Sequence, residues 1–355
     1  MASHWSGDRV EWCPERAKRV EGLLRVTSQL HQRVRKTIER HALCPPGSRL
    51  LVGLSGGSDS VALLFLLREL AENGNFTVAG AAHVNHRLRV TADRDEAFCR
   101  DLAARVGLRI VVQNEDVKGY ARVRNLSVED AARRIRYDVM EQAADSLNAD
   151  QIAVGHTQDD QAETFLLKLI RGAGSTGLAG IYPRRGRIIR PLLDVSRADL
   201  RGYLRGRGER WIDDESNDDL DNPRNRIRHV VLPELDCAAA GPTRPAIARA
   251  AGLTREDAEW LDELATRRYG ELADETADGL AIEAAVLLAE PPPLRRRILL
   301  RALRAAAGGR EVGLDHVDAA MAALAGAAGG VDTPGARVEL RRGKLVLIQQ
   351  KPVPK

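Results

Sequence analysis

Short apolar runs alternate with longer amphipathic segments over the first two thirds of the chain. Residues 49 to 54 predict a buried strand, and apolar residues then recur at helical spacing from Val61 to Leu70. Further apolar runs repeat this alternation and predict strands at residues 77–84, 108–112 and 151–154. Buried strands that alternate with helices are typical of a doubly wound parallel sheet, so we predict an α/β fold for this part of the chain.

The last third of the chain has a different pattern. A stretch rich in Ala, Gly and Pro at residues 238–245 predicts a domain boundary. Beyond it, Thr254 is predicted to begin a helix that turns Trp260 inward, and the pattern at residues 337–348 predicts a β-hairpin. We therefore expect three regions: an N-terminal extension and helix at residues 1–45, an α/β domain at residues 46–237, and a smaller, mainly helical C-terminal domain that ends in the hairpin at residues 246–355.

Composition adds limited information about partners and compartment. The 54 Lys and Arg residues nearly balance 50 Asp and Glu residues, and the net charge of +4 is weak evidence for a nucleic-acid partner. The cysteines are scattered, which favours neither a zinc site nor a disulfide framework; they are Cys13, Cys44, Cys99 and Cys237. No stretch approaches the roughly 18 apolar residues of a membrane span. We expect a cytoplasmic protein with no membrane partner.

The loop after the first predicted strand has the composition of a phosphate site. Its two glycines allow the backbone to approach an anion closely, its serines add hydroxyl donors, and a helix begins directly after it. The loop residues are Ser55, Gly56, Gly57, Ser58, Asp59 and Ser60. A Walker A loop would carry a lysine where Ser58-Asp59 stands. An aspartate among phosphates suggests a bridging Mg²⁺, whereas the structural alternative is a Gly-Gly turn capped by Ser or Asp.

Polar clusters also follow the second and fourth predicted strands, at residues 83–89 and 155–160. Because the carboxyl ends of parallel strands meet at one edge of a sheet, these clusters should lie near the Ser55–Ser60 loop. Asp59 and Asp160 are the predicted metal ligands. The alternative is that Asp159 or Asp160 only caps the helix that follows.

Together these motifs resemble a known family. The Ser55–Ser60 loop resembles the PP-loop of the N-type ATP pyrophosphatase superfamily, and the ordered set resembles the tRNA(Ile)-lysidine synthetases over roughly residues 46 to 235. The other motifs are His83-Val-Asn-His-Arg-Leu-Arg89, Gly155-His-Thr-Gln-Asp-Asp-Gln-Ala-Glu-Thr164, Arg171-Gly-Ala-Gly174, Arg190-Pro-Leu-Leu193, and Asp214-Glu-Ser-Asn217 with Arg224, Asn225 and Arg228. The resemblance implies a Rossmann-like PP-loop domain at residues 46–237 and a tRNA-binding region at residues 246–355.

The resemblance also implies a ligase that forms a C–N bond during tRNA processing. ATP would activate O2 of the wobble cytidine in the CAU anticodon of tRNA(Ile), releasing pyrophosphate, with Mg²⁺ neutralising the phosphates. The ε-amine of free L-lysine would then attack C2 and expel AMP, giving lysidine. The alternatives are a PP-loop tRNA thiolase making 2-thiocytidine or 2-thiouridine, and a non-catalytic RNA-binding protein. A homodimer is left open, as is the selection of the tRNA by a C-terminal region shorter than that of longer family members.

Residue roles follow from the resemblance. The catalytic candidates are Asp59, Asp160, Arg133 and His156. The nucleotide-binding candidates are the Ser55–Ser60 loop, His83 and Arg87. The substrate and tRNA candidates are Arg136, Glu163, Arg171, Asn217, Arg224, Asn225, Arg228, Arg295, Arg296 and Arg297. A free lysine amine has a reference pKa of ~10.4, so a base is needed, and His156, Asp160 and Glu163 are alternatives for it.

For most of these residues a structural alternative remains. Arg133 and Arg136 could lie on a solvated helix face, and Glu163 could be a solvated helix position. Gly172 and Gly174 could end a helix, and the arginines near residue 224 could balance the acidic residues beside them. The basic run at residues 295–297 could likewise be a solvated face.

Overall fold

The computed structural model describes residues 14–350 apart from residues 73, 88–90, 214–218, 278 and 327–328. The predicted substrate residue Asn217 and Cys13 lie outside these described residues, as does most of the predicted N-terminal extension. The chain forms two compact units, one up to Gly252 and one from Leu253 onward. Within the described ranges, none of the helices is long and apolar enough to cross a membrane.

The first unit alternates strands and helices, as the sequence predicts. Its elements are α1 (Pro14–Arg40), β1 (Arg49–Gly53), α2 (Ser58–Glu72), β2 (Thr77–Asn85), α3 (Ala92–Arg105), β3 (Ile110–Asn114), α4 (Val117–Arg124), α5 (Val128–Ser146), β4 (Gln151–Ala153), α6 (Gln158–Ile170), α7 (Ser175–Leu178), β5 (Arg184–Arg185), β6 (Ile188–Ile189), α8 (Arg197–Arg207), α9 (Pro223–Arg226), a π-helical turn (Ile227–Val231) and α10 (Leu232–Ala238). The third strand begins two residues later than the apolar run from Leu108 suggests.

The strands of this unit form one sheet in the order β3-β2-β1-β4-β6-β5. All neighbours are parallel except the pair β5 and β6. In the centre, Val52 of β1 pairs with Ala81 of β2 on one side and Ala153 of β4 on the other. The chain therefore moves outward from β1 to β3 and returns to the opposite side at β4. The loops after β1 and β4 flank the point of reversal, where sheets of this kind bind ligands.

Alternating residues of β1 anchor helices on both faces of the sheet. Leu50, Val52 and Leu54 pack in one core with residues of α1, α2, α3 and α8. Leu51 faces the other side, where it packs with Ile152 and residues of α5. These leucine side chains are at most 1% exposed, and each such burial contributes about 1.5–3 kcal/mol. The burial fixes β1 and with it the start of the loop that follows.

The second unit combines helices with an antiparallel sheet. A long helix, α11 (Arg244–Leu272), spans the division between the units. The elements after it are β7 (Ala273–Thr276), β8 (Gly279–Glu283), α12 (Ala284–Ala289), α13 (Pro292–Ala306), α14 (Leu314–Leu324), β9 (Val331–Thr333), β10 (Ala336–Arg341) and β11 (Lys344–Gln349). The sheet order is β7-β8-β11-β10-β9, and its inner side packs on α13 and α14.

The predicted C-terminal hairpin is confirmed as β10 and β11, which pair antiparallel across Arg342 and Gly343. The pattern did not reveal β7, β8 and β9, which extend the hairpin into a sheet. The predicted helix start at Thr254 is wrong, because α11 runs through that position without interruption. Trp260 does not face inward either, since 61% of it is exposed.

Candidate active site

The loop between β1 and α2 is held closed by its own serines. The Ser60 hydroxyl accepts a hydrogen bond from the Ser55 backbone N–H at 3.2 Å and donates to the Gly57 carbonyl at 3.0 Å. Gly56 has a φ of +87°, and a Cβ there would lie 2.7 Å from the Ile212 side chain. Glycine is thus required at this turn. The loop leads into the first turn of α2, whose N–H groups lack partners within the helix and favour an anion.

The loop after β4 lies directly against the loop after β1. A Cβ on Gly155 would lie 3.1 Å from the backbone of Asp59 and Ser60, so any side chain would push the two loops apart. The expected convergence at the carboxyl ends of β1 and β4 is therefore present. Gly155 belongs to a motif of the sequence, but its contact with Asp59 depends on the sheet order and no local pattern reveals it.

Asp160 uses its two carboxylate oxygens for different purposes. Oδ2 accepts hydrogen bonds from the Thr157 backbone N–H and hydroxyl, both at 2.8 Å, and completes a capping box at the start of α6. Oδ1 accepts from Arg224 at 2.8 Å and from Arg197 at 3.3 Å. The capping alternative and the functional one are thus compatible, because one oxygen caps the helix while the other faces the site.

Arg197, the first residue of α8, joins the two loops. Its Nε donates to Asp59 Oδ2 at 2.9 Å, while another nitrogen of the same guanidinium reaches Asp160. The backbone N–H of Arg197 donates to Asp159 Oδ2 at 2.8 Å. Asp159 therefore contacts the start of α8, and its other oxygen lies 3.4 Å from Arg244. Asp59 and Asp160, the two predicted metal ligands, thus both contact the guanidinium of Arg197.

Glu163, one turn further along α6, is a fully buried carboxylate. Arg224 Nε donates to Oε2 at 2.6 Å, and Arg228 donates to Oε1 at 2.7 Å and to Oε2 at 3.1 Å. Arg197 approaches Oε1 at 3.7 Å. The solvated alternative for Glu163 is wrong. Three carboxylates, Asp59, Asp160 and Glu163, thus interlock with three arginines, a group that we call the carboxylate–arginine cluster.

The two aspartates of this cluster differ in their electrostatics. Burial raises the pKa of Asp160, but Arg197 and Arg224 more than offset it, so the pKa lies well below its ordinary value. Burial also raises the pKa of Asp59, and Arg197 offsets only part of this, so that pKa stays above its ordinary value. The two pKa values differ because Asp160 accepts hydrogen bonds from two arginines and from Thr157, whereas Arg197 is the arginine that faces Asp59. Burial lowers the pKa of Arg197, but Asp160 and Asp59 raise it by more, so the net pKa lies above its ordinary value and the guanidinium stays charged.

His156 lies in the same loop and is a neutral ring. Burial is the main cause that lowers its pKa to about 4, while Asp160 opposes the shift and Arg190 and Arg224 add to it. Arg190 Nε donates to Nδ1 at 3.3 Å. Because a guanidinium can only donate, Nδ1 is the acceptor, and the neutral ring carries its proton on Nε2. His156 is therefore a potential hydrogen-bond donor and a weak base.

The residues predicted to bind the nucleotide after β2 are positioned by backbone contacts. The His83 side chain is buried, and its Nδ1 donates to the Leu54 carbonyl at 2.9 Å, beside the start of the Ser55–Ser60 loop. Arg87 is exposed, and its backbone N–H donates to Asn85 Oδ1 at 3.0 Å in a turn with φ +49°. The structure places His83 next to the loop, whereas the role of Arg87 stays a prediction.

Of four other predicted residues, three are exposed and one is buried. Arg133 and Arg136 are exposed on α5, and the Arg133 guanidinium lies 5.5 Å from the centre of the Tyr137 ring. Arg171 is exposed where α6 ends. Asn225 is buried and donates to the Asp219 carbonyl at 2.8 Å, so it holds the loop before α9.

Two of the three predicted tRNA-binding arginines of α13 contact other parts of the second unit. Arg295 donates to the Leu287 carbonyl at 3.1 Å and to the Glu290 carbonyl at 2.8 Å, so it satisfies the end of α12. Arg297 lies 3.6 Å from Asp262. Arg296, the third predicted arginine of this helix, is exposed.

Arg197 and Arg190 are the site residues that the sequence did not assign. Arg190 belongs to one of the motifs, and Arg197 follows Ser196, whose hydroxyl accepts a hydrogen bond from the Asp199 backbone N–H and caps α8. Neither signal identifies a partner, because Asp59 lies 138 residues from Arg197 along the chain. A basic residue at the first turn of a helix opposes the helix dipole, and this unfavourable placement was the available signal.

The fold and the site define a PP-loop protein, in which a serine- and glycine-rich loop precedes a helix at the reversal point of a parallel sheet. A family model described as a PP-loop domain matches residues 26–235, and the chain belongs to that family. A second model, described as the TilS substrate binding domain, matches residues 283–346.

Within this family, the chain is similar to proteins that are named tRNA(Ile)-lysidine synthases. The chain is 39% identical to a tRNA(Ile)-lysidine synthase of Geobacter sulfurreducens, over 81% of this chain and 62% of that protein. It is 35% identical to a tRNA(Ile)-lysidine synthase of Dehalococcoides mccartyi, over 81% of this chain and 63% of the relative. The chain thus spans about three fifths of the length of these curated relatives. The solved U34-tRNA thiolase NcsA of Methanococcus maripaludis shares the fold, with a TM-score of 0.50 at 20% identity, covering 65% of this chain and 79% of that structure.

Proposed function

We propose that this protein ligates L-lysine to C2 of the wobble cytidine in the CAU anticodon of tRNA(Ile), using ATP to activate O2 of the base, and that it acts in the cytoplasm. The observation that carries the proposal is the carboxylate–arginine cluster at the reversal point of the sheet, next to a loop built to receive phosphates. The names of the curated relatives and the match to the TilS substrate binding domain support the same substrate.

The residues present fit a nucleotide. The Ser55–Ser60 loop is fixed by the Ser60 hydroxyl, and Gly56 and Gly155 bring backbone close together without side chains in between. Adenylation of a carbonyl oxygen requires the leaving pyrophosphate to be stabilised. The loop N–H groups, the start of α2 and Arg197 supply positive potential at that position. This arrangement supports the use of ATP by transfer of its adenylyl group.

The residues also fit Mg²⁺, although the described residues contain no group of three or more His, Cys, Asp or Glu side chains that could hold a metal ion. Protein Mg²⁺ sites commonly use one or two carboxylates together with substrate phosphates and water. Asp59 and Asp160 meet these requirements, since both contact the same guanidinium of Arg197. Bound there, the ion would neutralise charge on the phosphates.

His156 and Asp160 have distinct roles in the proposed reaction. With its proton on Nε2, His156 can donate a hydrogen bond to an oxygen such as O2 of cytosine as charge develops there. Asp160 has a pKa well below its ordinary value, so it stays ionised at neutral pH and is a poor proton acceptor. It would therefore hold a cationic amine or a metal by charge and leave proton transfer to another group.

Two of the four cysteines, Cys44 and Cys99, are poorly suited to sulfur chemistry. Burial raises the pKa of the Cys44 thiol to about 12, and the same effect raises the pKa of Cys99 to about 12. Cys99 lies beside the nucleotide loop, with its Sγ 3.6 Å from the Leu54 carbonyl. A protonated thiol is a weak nucleophile and metal ligand. This supports lysidine formation over the thiolase alternative.

Mass spectrometry of tRNA nucleosides tests the proposal directly. The protein is incubated with ATP, Mg²⁺, isotope-labelled L-lysine and a tRNA(Ile) transcript bearing the CAU anticodon, with a tRNA(Met) transcript of the same anticodon as the control. We expect labelled lysidine, AMP and pyrophosphate in equal amounts only when all components are present. Efficient turnover with a sulfur donor in place of lysine would refute the lysidine assignment.

A further inference from the structure

The segment formed by α4 and the start of α5 has an unusual charge. Residues 117–137 contain six basic and two acidic residues, so their net charge of +4 equals the formal net charge of the whole chain. The basic residues are Lys118, Arg122, Arg124, Arg133, Arg134 and Arg136, and we call them the α4–α5 basic surface. All six are exposed.

The described part of the chain offers these six cations no acidic partner. Among the residues that the structure describes, none of the six forms an ion pair, whereas Arg33, Arg105 and Arg187 each pair with a carboxylate at 2.5 to 3.0 Å. Two of the six lie instead over aromatic rings, Arg124 at 5.3 Å from the Tyr120 ring and Arg133 over Tyr137. Unneutralised charge at this density is unfavourable for the chain alone and suits a polyanion.

Packing keeps the charges on one side. Val117 and Ala121 of α4 bury their side chains against Ile135 and Val139 of α5, so the apolar faces of both helices are satisfied. The six cations remain outside, together with the acidic Glu129 and Asp130 at the start of α5. Two apolar side chains are exposed there as well, Val123 at 83% and Val128 at 44%. The surface is thus part of a rigid helix pair that can present charges in a fixed arrangement.

The surface begins beside the candidate active site. The Arg133 guanidinium lies 5.5 Å from the centre of the Tyr137 ring. Tyr137 is hydrogen-bonded to Arg190, which in turn donates to His156 Nδ1 at 3.3 Å, so contacts link Arg133 to the site. Arg122 and Arg124 lie on the preceding helix, which contacts α5 through the shared core. A substrate that enters the site with one nucleotide would therefore pass along these cations with the rest of its backbone.

We propose that the α4–α5 basic surface binds the sugar–phosphate backbone of the stem that adjoins the anticodon loop, a role that rests on the proposed function. A stem is a regular array of phosphates, and arginine binds phosphate with paired donors. An acidic protein or an anionic membrane would also be attracted by the charge, but neither explains its position next to a site that acts on a nucleotide. Binding along the stem would hold the wobble base in place without reading its sequence.

The test removes only cations that lie outside the catalytic machinery. The triple variant Lys118→Ala, Arg122→Ala, Arg124→Ala is compared with a control, Arg35→Ala, Lys36→Ala, Arg205→Ala. The control removes the same charge from exposed positions of α1 and α8, whose core lies on the other face of the sheet. Fluorescence anisotropy measures affinity for an RNA hairpin containing the CAU loop and its stem, and for a linear RNA with the loop sequence alone, over a range of salt concentrations.

Three lost phosphate contacts should lower the slope of log K against log salt by about 2. If the binding lines converge near 1 M salt, hairpin affinity at 0.1 M salt should fall roughly 100-fold in the triple variant. The control variant and the linear RNA should change far less. Equal losses for both RNAs, or for both variants, would overturn the assignment to the stem. Unchanged hairpin affinity in the triple variant would overturn it as well.

Lysidine formation by the wild-type protein separates this proposal from the proposed function. If labelled lysidine forms and the triple variant binds the hairpin normally, the surface proposal is wrong and the function stands. If no lysidine forms but the triple variant alone loses hairpin affinity and salt dependence, the surface is an RNA-binding site and the proposed function is wrong. Circular dichroism and an unchanged thermal midpoint verify that both variants are folded.

Discussion

Asp59 and Asp160 contact the same arginine, yet replacement by asparagine should destabilise the first unit only at Asp160. Asp160→Asn removes the negative charge that faces Arg224 at 2.8 Å and Arg197 at 3.3 Å. Hydrogen bonds to charged groups contribute about 1.5–3 kcal/mol each, and a neutral amide oxygen retains part of one of them. We therefore expect the first unit to lose about 3 kcal/mol.

Asp59→Asn should leave the stability unchanged or raise it slightly. The raised pKa of Asp59 means that its ionised form is less favourable in the folded protein than in water, despite the contact with Arg197. The same substitution should abolish adenylation, because a proposed metal ligand is lost. A variant that is inactive but not destabilised would separate the catalytic role of this carboxylate from a structural one.

Differential scanning calorimetry measures both effects at neutral pH. For a unit of this size, 1 kcal/mol shifts the midpoint by about 2–4 °C, so Asp160→Asn should lower it by about 6–12 °C. The matched control is Asp262→Asn, which removes a carboxylate that also faces two arginines but is 57% exposed. Its effect should be below about 1 kcal/mol.

The pH dependence gives a second criterion with a defined sign. The depressed pKa of Asp160 provides stability above its unfolded pKa of ~3.9, which is lost as the pH falls below that value. The difference between wild type and Asp160→Asn should therefore shrink on acidification below about pH 4. For Asp59 the pKa is raised, so any advantage of Asn should appear only as the pH rises above ~3.9. An equal loss of stability in both variants would refute this account of the site.

Three further predictions test single contacts. Gly155→Ala should raise the KM for ATP at least ~10-fold by separating the two loops, since every 1.4 kcal/mol is tenfold, whereas Gly202→Ala, in open space on a helix, should leave steady-state kinetics unchanged. Since the pKa of His156 is about 4, this ring does not titrate between pH 6 and 9. Wild type and His156→Asn should therefore have pH profiles of ligation with the same shape over that range. Arg295→Ala should cost the second unit about 1–2 kcal/mol by leaving carbonyls at the end of α12 unsatisfied, and calorimetry should show Arg296→Ala within about 0.5 kcal/mol of wild type.

Local patterns predicted the sheet and its loops because the responsible forces act over a few residues. The apolar run at β1 and the helical spacing from Val61 to Leu70 each carry their own signal, and the structure confirms both. The edge strands of the second unit were missed for the same reason. Strand β7 spans Ala273–Thr276 and β9 spans Val331–Thr333, and segments this short and polar give no periodicity.

The partners of the site could not be predicted from local patterns. Glu163 has the spacing of an ordinary helix residue, and its burial depends on Arg224 and Arg228, which approach from more than sixty residues away. At Thr254 a local pattern gave a wrong prediction. The sequence there resembles a helix cap, but α11 continues through it, and Trp260 is exposed. Tertiary packing decides such cases, and propensity is only a weak guide to it.

The carboxylate–arginine cluster is electrically balanced in the described structure, with Asp59, Asp160 and Glu163 facing three guanidinium groups. Such buried networks contribute little net stability, because the cost of removing the charges from water offsets much of their attraction. Under the proposed function, the phosphates of a nucleotide would compete with the carboxylates for Arg197, and a divalent cation would take over the carboxylates. Each ligand thus compensates the contacts that the other breaks, so nucleotide and magnesium should bind cooperatively. Glu163, which is fully buried and held by Arg228, has the least freedom to exchange partners, and it would keep the arginines in place while the two aspartates change theirs.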